Sequence, residues 1–443
     1  MKRLLQRIVI KFKDSLRYAA SVRELAGWAY WLKGMLAANP VVRLRLMTRA
    51  FGMAESRTLE ATARKVLMKC VASQPSALWQ QVVTAQPRYR DLIRKDPALS
   101  RSIILKAPGA NGEKGVLLMT FEYNWARLFA GLNDEEFRWF DECFDIVLST
   151  SWSPTDYAVL GWAASRMSGT IFVQSCNYAE VGRIERFHPR VRCLQTLPCD
   201  WINPQLYKPK KFADRTTDIV MVANWGAFKR HWELFAALTE LPPDLRVVLI
   251  GQQESGRTKK FIHEKAILFG VRQALEIYES IPIAEVAAHQ CNAKVSVIMT
   301  RREGCCVAAV ESLFAGCALV MRADAHVGPL AYINEHTGAR LRPGHIAQDL
   351  AAALERARDL RPHEWAVQNL ACQVSHQKLN TLLLDDALKA GRPWTTDIAL
   401  PQWRPHPTFA HVEEQELMRC VYEDLRQKFP HVFALDLLTE SWR

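Results

Sequence analysis

Two glutamates, Glu303 and Glu311, stand eight positions apart in TRREGCCVAAVESLFAGCALV, residues 300–320. Glycine directly follows the first, and small residues fill most of the interval. The apolar run before Glu303 reads as a buried strand, and the run after it as a helix beginning near residue 305. Ligands gather at the carboxyl ends of strands in open α/β sheets. The start of the following helix offers N–H groups and a dipole that favour an anion such as a diphosphate. Gly304, Cys305 and Cys306 are small enough to let a ligand approach this backbone. Eight helical steps span about 12 Å. That reach can set one carboxylate beside a sugar and the other beside a ribose, because carboxylates accept hydrogen bonds from vicinal hydroxyls.

A regular alternation of strands and helices must position these groups. GVLLMTF (115–121), FDIVLST (144–150) and GTIFVQS (169–175) read as buried strands, with a helix over 153–167 between the last two. After the Pro/Lys-rich stretch near 208–214 a second series begins. Its strands are TDIVMVAN (217–224), LRVVLIG (245–251), ALEIYES (274–280), AKVSVIMT (293–300) and GCALVMR (316–322). Helices are predicted at 229–240, 257–270 and 283–290, and a last one at 411–429. Such spacing predicts parallel sheets with right-handed crossovers, in two Rossmann-like domains facing across a cleft. The boundaries drawn from the sequence are a basic helical extension (1–100), an acceptor-type domain (101–213), a donor domain (214–395) and a C-terminal tail with a helix (396–443).

In the first domain, Glu122 and Asn124 follow one strand and Asn177 and Glu180 another. Each pair can either touch an acceptor, with one carboxylate as base, or merely cap a strand end. His188 reads as a loop residue, and GANGEKG (109–115) lacks the spacing of a phosphate loop and reads as a turn.

The stretch from Thr300 to Val320 resembles the signature of retaining, nucleotide-sugar-dependent glycosyltransferases of the GT-B fold, family four. That signature is a Glu, seven residues and a second Glu, and the corresponding letters here are Glu303, Gly304, Glu311, Ser312, Ala315, Gly316 and Val320. VSVIMTRREG is similar to the strand and loop before the signature, with Thr300 at the hydroxyl position. GPLAYINEHTGARLRP (328–343), IVMVANWGAFKRHWELFAAL and LPCDWINPQLYKP resemble the family's later turn, the opening of its donor domain and its interdomain linker. The agreement runs in order over roughly 195–345.

The resemblance implies a two-domain GT-B enzyme with Glu303 on the donor sugar's hydroxyls, Glu311 on the ribose and Lys229 against the diphosphate. Asn224 stands where the family often has an arginine, which leaves Arg230 or Arg301 to replace it. Cys305 occupies the usual aromatic position and Cys306 the usual glycine. The implied co-substrate is a UDP- or GDP-linked sugar, with no cofactor and no metal, and the implied acceptor is a glycan or a lipid-linked glycan.

The net charge of +12 is not evenly spread. Residues 1–100 hold 19 Lys/Arg against six Asp/Glu, while the other 343 residues are close to neutral. An anionic partner is expected there, a membrane surface or a nucleic acid. The first twenty residues are amphipathic at helical period, with Leu4, Leu5, Ile8, Phe12 and Leu16 on one face. Such a helix can lie in a membrane interface or dock on its own domain. No recognised base-reading module appears, so no nucleic-acid partner is expected. The 11 cysteines show no metal or disulfide spacing, which fits a reducing compartment. With no stretch of about 18 apolar residues and no signal peptide pattern, the expected location is cytoplasmic, peripheral on the inner membrane surface through residues 1–50. The rival to an enzyme is a non-catalytic GT-B-like scaffold that binds such a surface through its basic segment.

Overall fold

The computed structural model describes residues 2–73, 76–87, 89, 102–404 and 406–433; expectations for residues 90–101 and 434–443 lie outside the described residues. The chain forms two compact units. One holds Met1–Asp14 and Ile202–Val374, the other Ser15–Trp201 and Ser375–Arg443. These divisions differ from the boundaries drawn from the sequence, because the helices of the extension and the C-terminal segment both pack into the first sheet's core.

The second unit begins with four helices, α2 (Ala20–Leu36), α3 (Pro40–Met53), α4 (Arg57–Ser73) and α5 (Ser76–Thr84). Local chemistry sets their ends. Pro40 opens α3 where its missing N–H is not needed, and the Asn39 side chain accepts from Val41 N–H at 2.9 Å. Leu44, Met47 and Phe51 of α3, Leu67 of α4 and Trp79 of α5 are buried in the same core as the first sheet. That sheet runs β1 (Ser102–Lys106), β2 (Gly115–Thr120), β3 (Phe144–Ser149), β4 (Ile171–Gln174), β5 (Val191–Cys193) in spatial order, with only β1 antiparallel. Helices α6 (Glu122–Gly131), α7 (Asp134–Cys143), α8 (Tyr157–Arg166) and α9 (Tyr178–Phe187) make its crossovers. The expected helix over 153–167 starts only at Tyr157, since Asp156 caps it and residues 150–155 form a braced loop.

The six-stranded unit is parallel throughout: β11 (Gly338–Leu341), β10 (Ala318–Arg322), β9 (Ala293–Ile298), β6 (Thr217–Val222), β7 (Val247–Gly251), β8 (Leu275–Glu279). The chain enters at β6 in the middle, winds out through β7 and β8, then returns to lay β9 against the other side of β6. Strand order therefore reverses between β6 and β9, the point where such sheets open a ligand crevice. Helices α10 (His231–Leu238), α11 (Lys259–Phe269), α12 (Ile283–Cys291), α13 (Val307–Phe314), α14 (Ile346–Arg356) and α15 (Pro362–Leu370) cover the faces. Beyond it, α16 (Cys372–Lys389), the hairpin β12 (Pro401–Arg404) and β13 (His406–Phe409), and α17 (Val412–Lys428) complete the chain. The Tyr422 hydroxyl of α17 accepts from Ile104 N–H of β1 at 2.9 Å, which ties the tail to the first sheet's edge.

Helix α1 (Lys2–Tyr18) docks on its own chain, one of the two readings open for it. Its polar edge docks on the six-stranded unit. Arg7 donates to the Leu268 carbonyl at 2.9 Å and lies over the Phe269 ring, Ile10 packs on that unit's core, and Asp14 pairs with Arg230. Its apolar stripe remains outside: Leu4 is 62% and Phe12 64% exposed, with Leu5, Ile8 and Leu16 also exposed. No described helix is long and apolar enough to cross a membrane.

Gly338 shows how tightly the edge strand β11 is seated. A Cβ there would lie 1.8 Å from the Leu319 carbonyl oxygen of β10, a backbone atom that cannot move aside. Gly338→Ala is expected to lose about 3 kcal/mol, measured by urea denaturation, with Gly169→Ala, where a Cβ meets nothing within 4 Å, as the comparison.

Candidate functional site

The residues singled out by the sequence in this unit cluster after the two strands that flank the reversal. After β6, a short loop and a 3-10 turn over Ala227–Lys229 lead to Arg230, which takes a left-handed conformation (φ 58°) before α10. After β9, the segment from Met299 to Cys306 leads to α13, with Cys306 also left-handed (φ 45°). The helix thus starts at Val307 rather than near 305. Left-handed backbone costs a non-glycine residue about 1–2 kcal/mol, so Cys306 holds, at some strain, a shape that glycine adopts freely. Ser280 after β8 and Phe121 after β2 share the positive φ. Strain of this kind clusters at functional loops.

The structure brings Lys229 and Glu303 together. The Lys229 ammonium donates to Glu303 Oε1, and both residues are buried. Burial works against the charged lysine, but the Glu303 carboxylate outweighs it and holds Lys229 above its ordinary value. A buried pair of this kind is costly to break from one side, because the remaining charge is left uncompensated. Burial and the nearby cations Lys265 and Lys229 push His231 down to about 3, so its ring is neutral and Lys229 is the cation at this point.

In the same loop, the oxygens Glu303 Oε2 and the fully buried Thr300 hydroxyl have no partner among the described residues. Buried polar atoms are almost always hydrogen-bonded, so these two oxygens are exceptions that retain acceptor capacity. Gly304, Cys305 and Cys306 are buried in the same segment. A cavity of about 210 Å3 opens beside Lys229, the member of the ion pair that lines it, with Asn224, Gly251, Gln252, Ser280 and Ala308 among its other walls. Its walls are the carboxyl ends of β6, β7 and β8 and the first turn of α13. At Gly251 a Cβ would stand 2.3 Å from the Ala223 carbonyl oxygen, so the backbone is crowded at this edge. Asn224 braces its own loop, accepting from Gly226 N–H at 3.1 Å.

Glu311 lies one turn into α13, half-buried, and accepts a hydrogen bond from the Tyr207 hydroxyl. Arg230 joins a charge network instead of standing alone. It pairs with Asp14 of α1 and, at 2.7 Å, with Glu233; Glu233 also holds Arg322, which reaches Asp324 at 2.8 Å. Arg301 pairs with Asp324 at 3.0 Å. Asp14, Tyr207, Glu233 and Arg322 were not singled out by the sequence. Glu233, three residues after Arg230 on a helix, carried a readable spacing; Asp14 carried none.

Glu122 and Asn124 lie in the other unit, buried in the first turn of α6. The Glu122 carboxylate accepts from Ser151 N–H at 3.2 Å and from the Ser151 hydroxyl, and Asn124 donates to the Thr120 carbonyl at 2.8 Å. Asn177 caps α9, and Glu180 accepts from Thr155 N–H at 2.9 Å. Both glutamates brace the loop after β3. Among the described residues, no group of three or more His, Cys, Asp or Glu side chains could hold a metal ion.

Residues 204–368 match the family model for Glycosyl transferases group 1, a span that contains Lys229, Thr300, Glu303 and Glu311. No curated protein matches the chain. Among solved structures, it is similar to sucrose-phosphate synthase from Thermosynechococcus elongatus, at 18% identity over 62% of this chain and 74% of that one, TM-score 0.47. It is also similar to HepE of Anabaena in complex with UDP, at 13% identity over 60% and 78%, TM-score 0.47. A third is the pneumococcal O-GlcNAc transferase GtfA in complex with UDP and GlcNAc, at 12% identity over 58% and 55%, TM-score 0.43. The fold is α/β with two largely parallel sheets and a helical N-terminal region, as the GT-B expectation required.

Burial raises the Glu311 carboxyl to about 7 from an ordinary 4.5, against the hydrogen bond from Tyr207, which lowers it. Between those values the native state holds a proton that the unfolded chain has released. This group's contribution to stability therefore falls as pH rises through the window and levels off above it. Glu311→Gln cannot ionise, so it is expected to gain about 1–3 kcal/mol relative to wild type between pH 4.5 and 7, the range allowing for partial exposure. Urea denaturation of both proteins at pH 5 and pH 8 measures the difference.

Proposed function

We propose that the chain is a glycosyltransferase that moves a sugar from a nucleotide sugar to a glycan or lipid-linked acceptor with retention of anomeric configuration. The observation that carries this reading is the loop after β9, where a buried Lys229–Glu303 pair sits with two oxygens, Thr300 Oγ1 and Glu303 Oε2, that have no partner among the described residues. The match of this segment to the glycosyl transferases group 1 model supports it.

In this reading Glu303 accepts hydroxyls of the donor sugar through its unpartnered oxygen, and Glu311 accepts ribose hydroxyls. The diphosphate of a UDP- or GDP-linked donor lies between them, against Gly304, Cys305, Cys306 and the start of α13. As the bond from the anomeric carbon to the diphosphate oxygen breaks, negative charge grows on that oxygen. The Lys229 ammonium and the N–H groups opening α13 stabilise it in place of a metal ion. Asn224 and Arg230 complete the phosphate side, Arg230 through the network that Asp14 and Glu233 hold. Glu122 and Asn124 belong to the acceptor side, where their bonds to the loop after β3 shape the surface an acceptor meets.

Glu303→Gln is expected to lower turnover at least about 100-fold while circular dichroism stays native. Glu311→Ala is expected to weaken UDP or GDP binding by about 1–3 kcal/mol in calorimetry. Wild-type turnover in Glu303→Gln sinks the assignment, and product of inverted configuration by NMR sinks the retaining mode.

The same proposal sets the protein on the inner membrane surface. Support comes from α1, whose exposed apolar stripe runs beside exposed Lys11, Lys13 and Arg17. That is the composition of a helix lying in an anionic interface. Co-sedimentation with phosphatidylglycerol vesicles is expected for wild type and lost in Leu5→Glu/Phe12→Glu; equal sedimentation of the two proteins overturns this placement.

A further inference from the structure

The five-stranded unit holds a cavity of about 430 Å3 that the donor site does not use. Its volume falls in the range of small-molecule sites. It lies at the carboxyl edge of the sheet, between the loop after β3 and helices α2 and α3. The loop is held firmly from two sides. Glu122 takes Ser151 N–H at 3.2 Å, while Glu180 takes the Ser153 hydroxyl at 2.6 Å and Thr155 N–H at 2.9 Å. Trp152, 39% exposed, is therefore presented on a rigid support.

Across the cavity stand Arg45 and Arg49, one turn apart on α3 and so on one face of it. The Arg49 guanidinium lies 5.7 Å from the Tyr30 ring centroid. Neither arginine has a carboxylate partner among the described residues. Asp156 is the acidic residue of the lining, and its carboxylate is engaged by the Tyr89 hydroxyl at 2.8 Å and by Ala158 N–H at 2.9 Å. Tyr157, also in the lining, has a buried hydroxyl without a partner among the described residues. Two guanidiniums and a part-exposed indole surround one space.

We infer that this cavity binds a sugar phosphate. Guanidinium forks match phosphate oxygens in pairs, and the indole face of Trp152 offers a flat apolar surface to the C–H face of a pyranose. The site's role as acceptor site rests on the glycosyltransferase reading; its binding chemistry does not. The phosphate can be a free monoester or the phosphodiester of a lipid-linked sugar, and the two are separable by probe.

Calorimetry with glucose 6-phosphate and with hexyl glucosyl phosphate tests it on the full chain, with UDP and GDP binding measured in parallel. At least one probe is expected to bind wild type and to lose tenfold or more in affinity in Arg45→Ala/Arg49→Ala, with a smaller loss in Trp152→Ala. Affinity for the nucleotide that binds, UDP or GDP, is expected to stay unchanged in both variants, and native circular dichroism with a wild-type melting temperature reports that the five-stranded unit folds. The probe that responds identifies the source. Binding of neither probe, or equal binding by wild type and the double arginine variant, overturns the inference. Inorganic phosphate binding as tightly as the better probe overturns the sugar part. Failure of both UDP and GDP to bind wild type would strike the donor reading and leave this one standing.

Discussion

The buried ion pair of Lys229 and Glu303 is the constraint on which the six-stranded unit's chemistry depends. Each charge alone would be expensive to hold in the protein interior, and the two residues come from loops after different strands. They can meet only because β9 returns to lie against β6, the strand the chain laid first. The reversal that opens a crevice in the sheet also closes this pair, so topology and electrostatics fix the same point. Glu303 spends one oxygen on the lysine, and its other has no partner among the described residues.

Around that pair the site trades regularity for shape. Cys306 and Arg230 stand left-handed at the starts of the two helices that flank it, and neither is a glycine. Left-handed turns aim the chain abruptly, which lets a short loop deliver Thr300 and Glu303 to one side and Lys229 to the other. Arg230, buried, is then neutralised from two directions, by Glu233 of its own helix and by Asp14 of α1. A residue from the first helix of the chain is thereby part of the charge balance beside the site.

How much of this could be read from the sequence follows from the range of the forces involved. The strands of the second series are dense in Val, Ile and Leu because both faces are buried, and their pattern gives them away within six residues or so. Strands such as β1, β5 and β11 are short or lie at a sheet edge, and they leave no such run. Glu303, Glu311 and Lys229 were legible because their local frame of strand, loop and helix start is itself local. Burial of the pair, the orphaned Thr300 hydroxyl and the Asp14–Arg230 contact depend on residues distant along the chain, and spacing does not encode them. Glu122 and Glu180 show the converse. Their place at strand ends was plain, yet only the fold reveals that their carboxylates hold the loop after β3.

Lys229 and Glu303 are separated by 74 residues of chain. At about 5–20 residues per second of synthesis, Glu303 follows Lys229 out of the ribosome by roughly 4–15 s. Through that interval β6, β7 and β8 can pair, but the lysine at their edge has no counter-charge and its burial stays unfavourable. The edge of β6 waiting for β9 is open for the same time. This half of the molecule is therefore committed late, when β9 arrives, and the step that completes its sheet is the step that completes its ion pair.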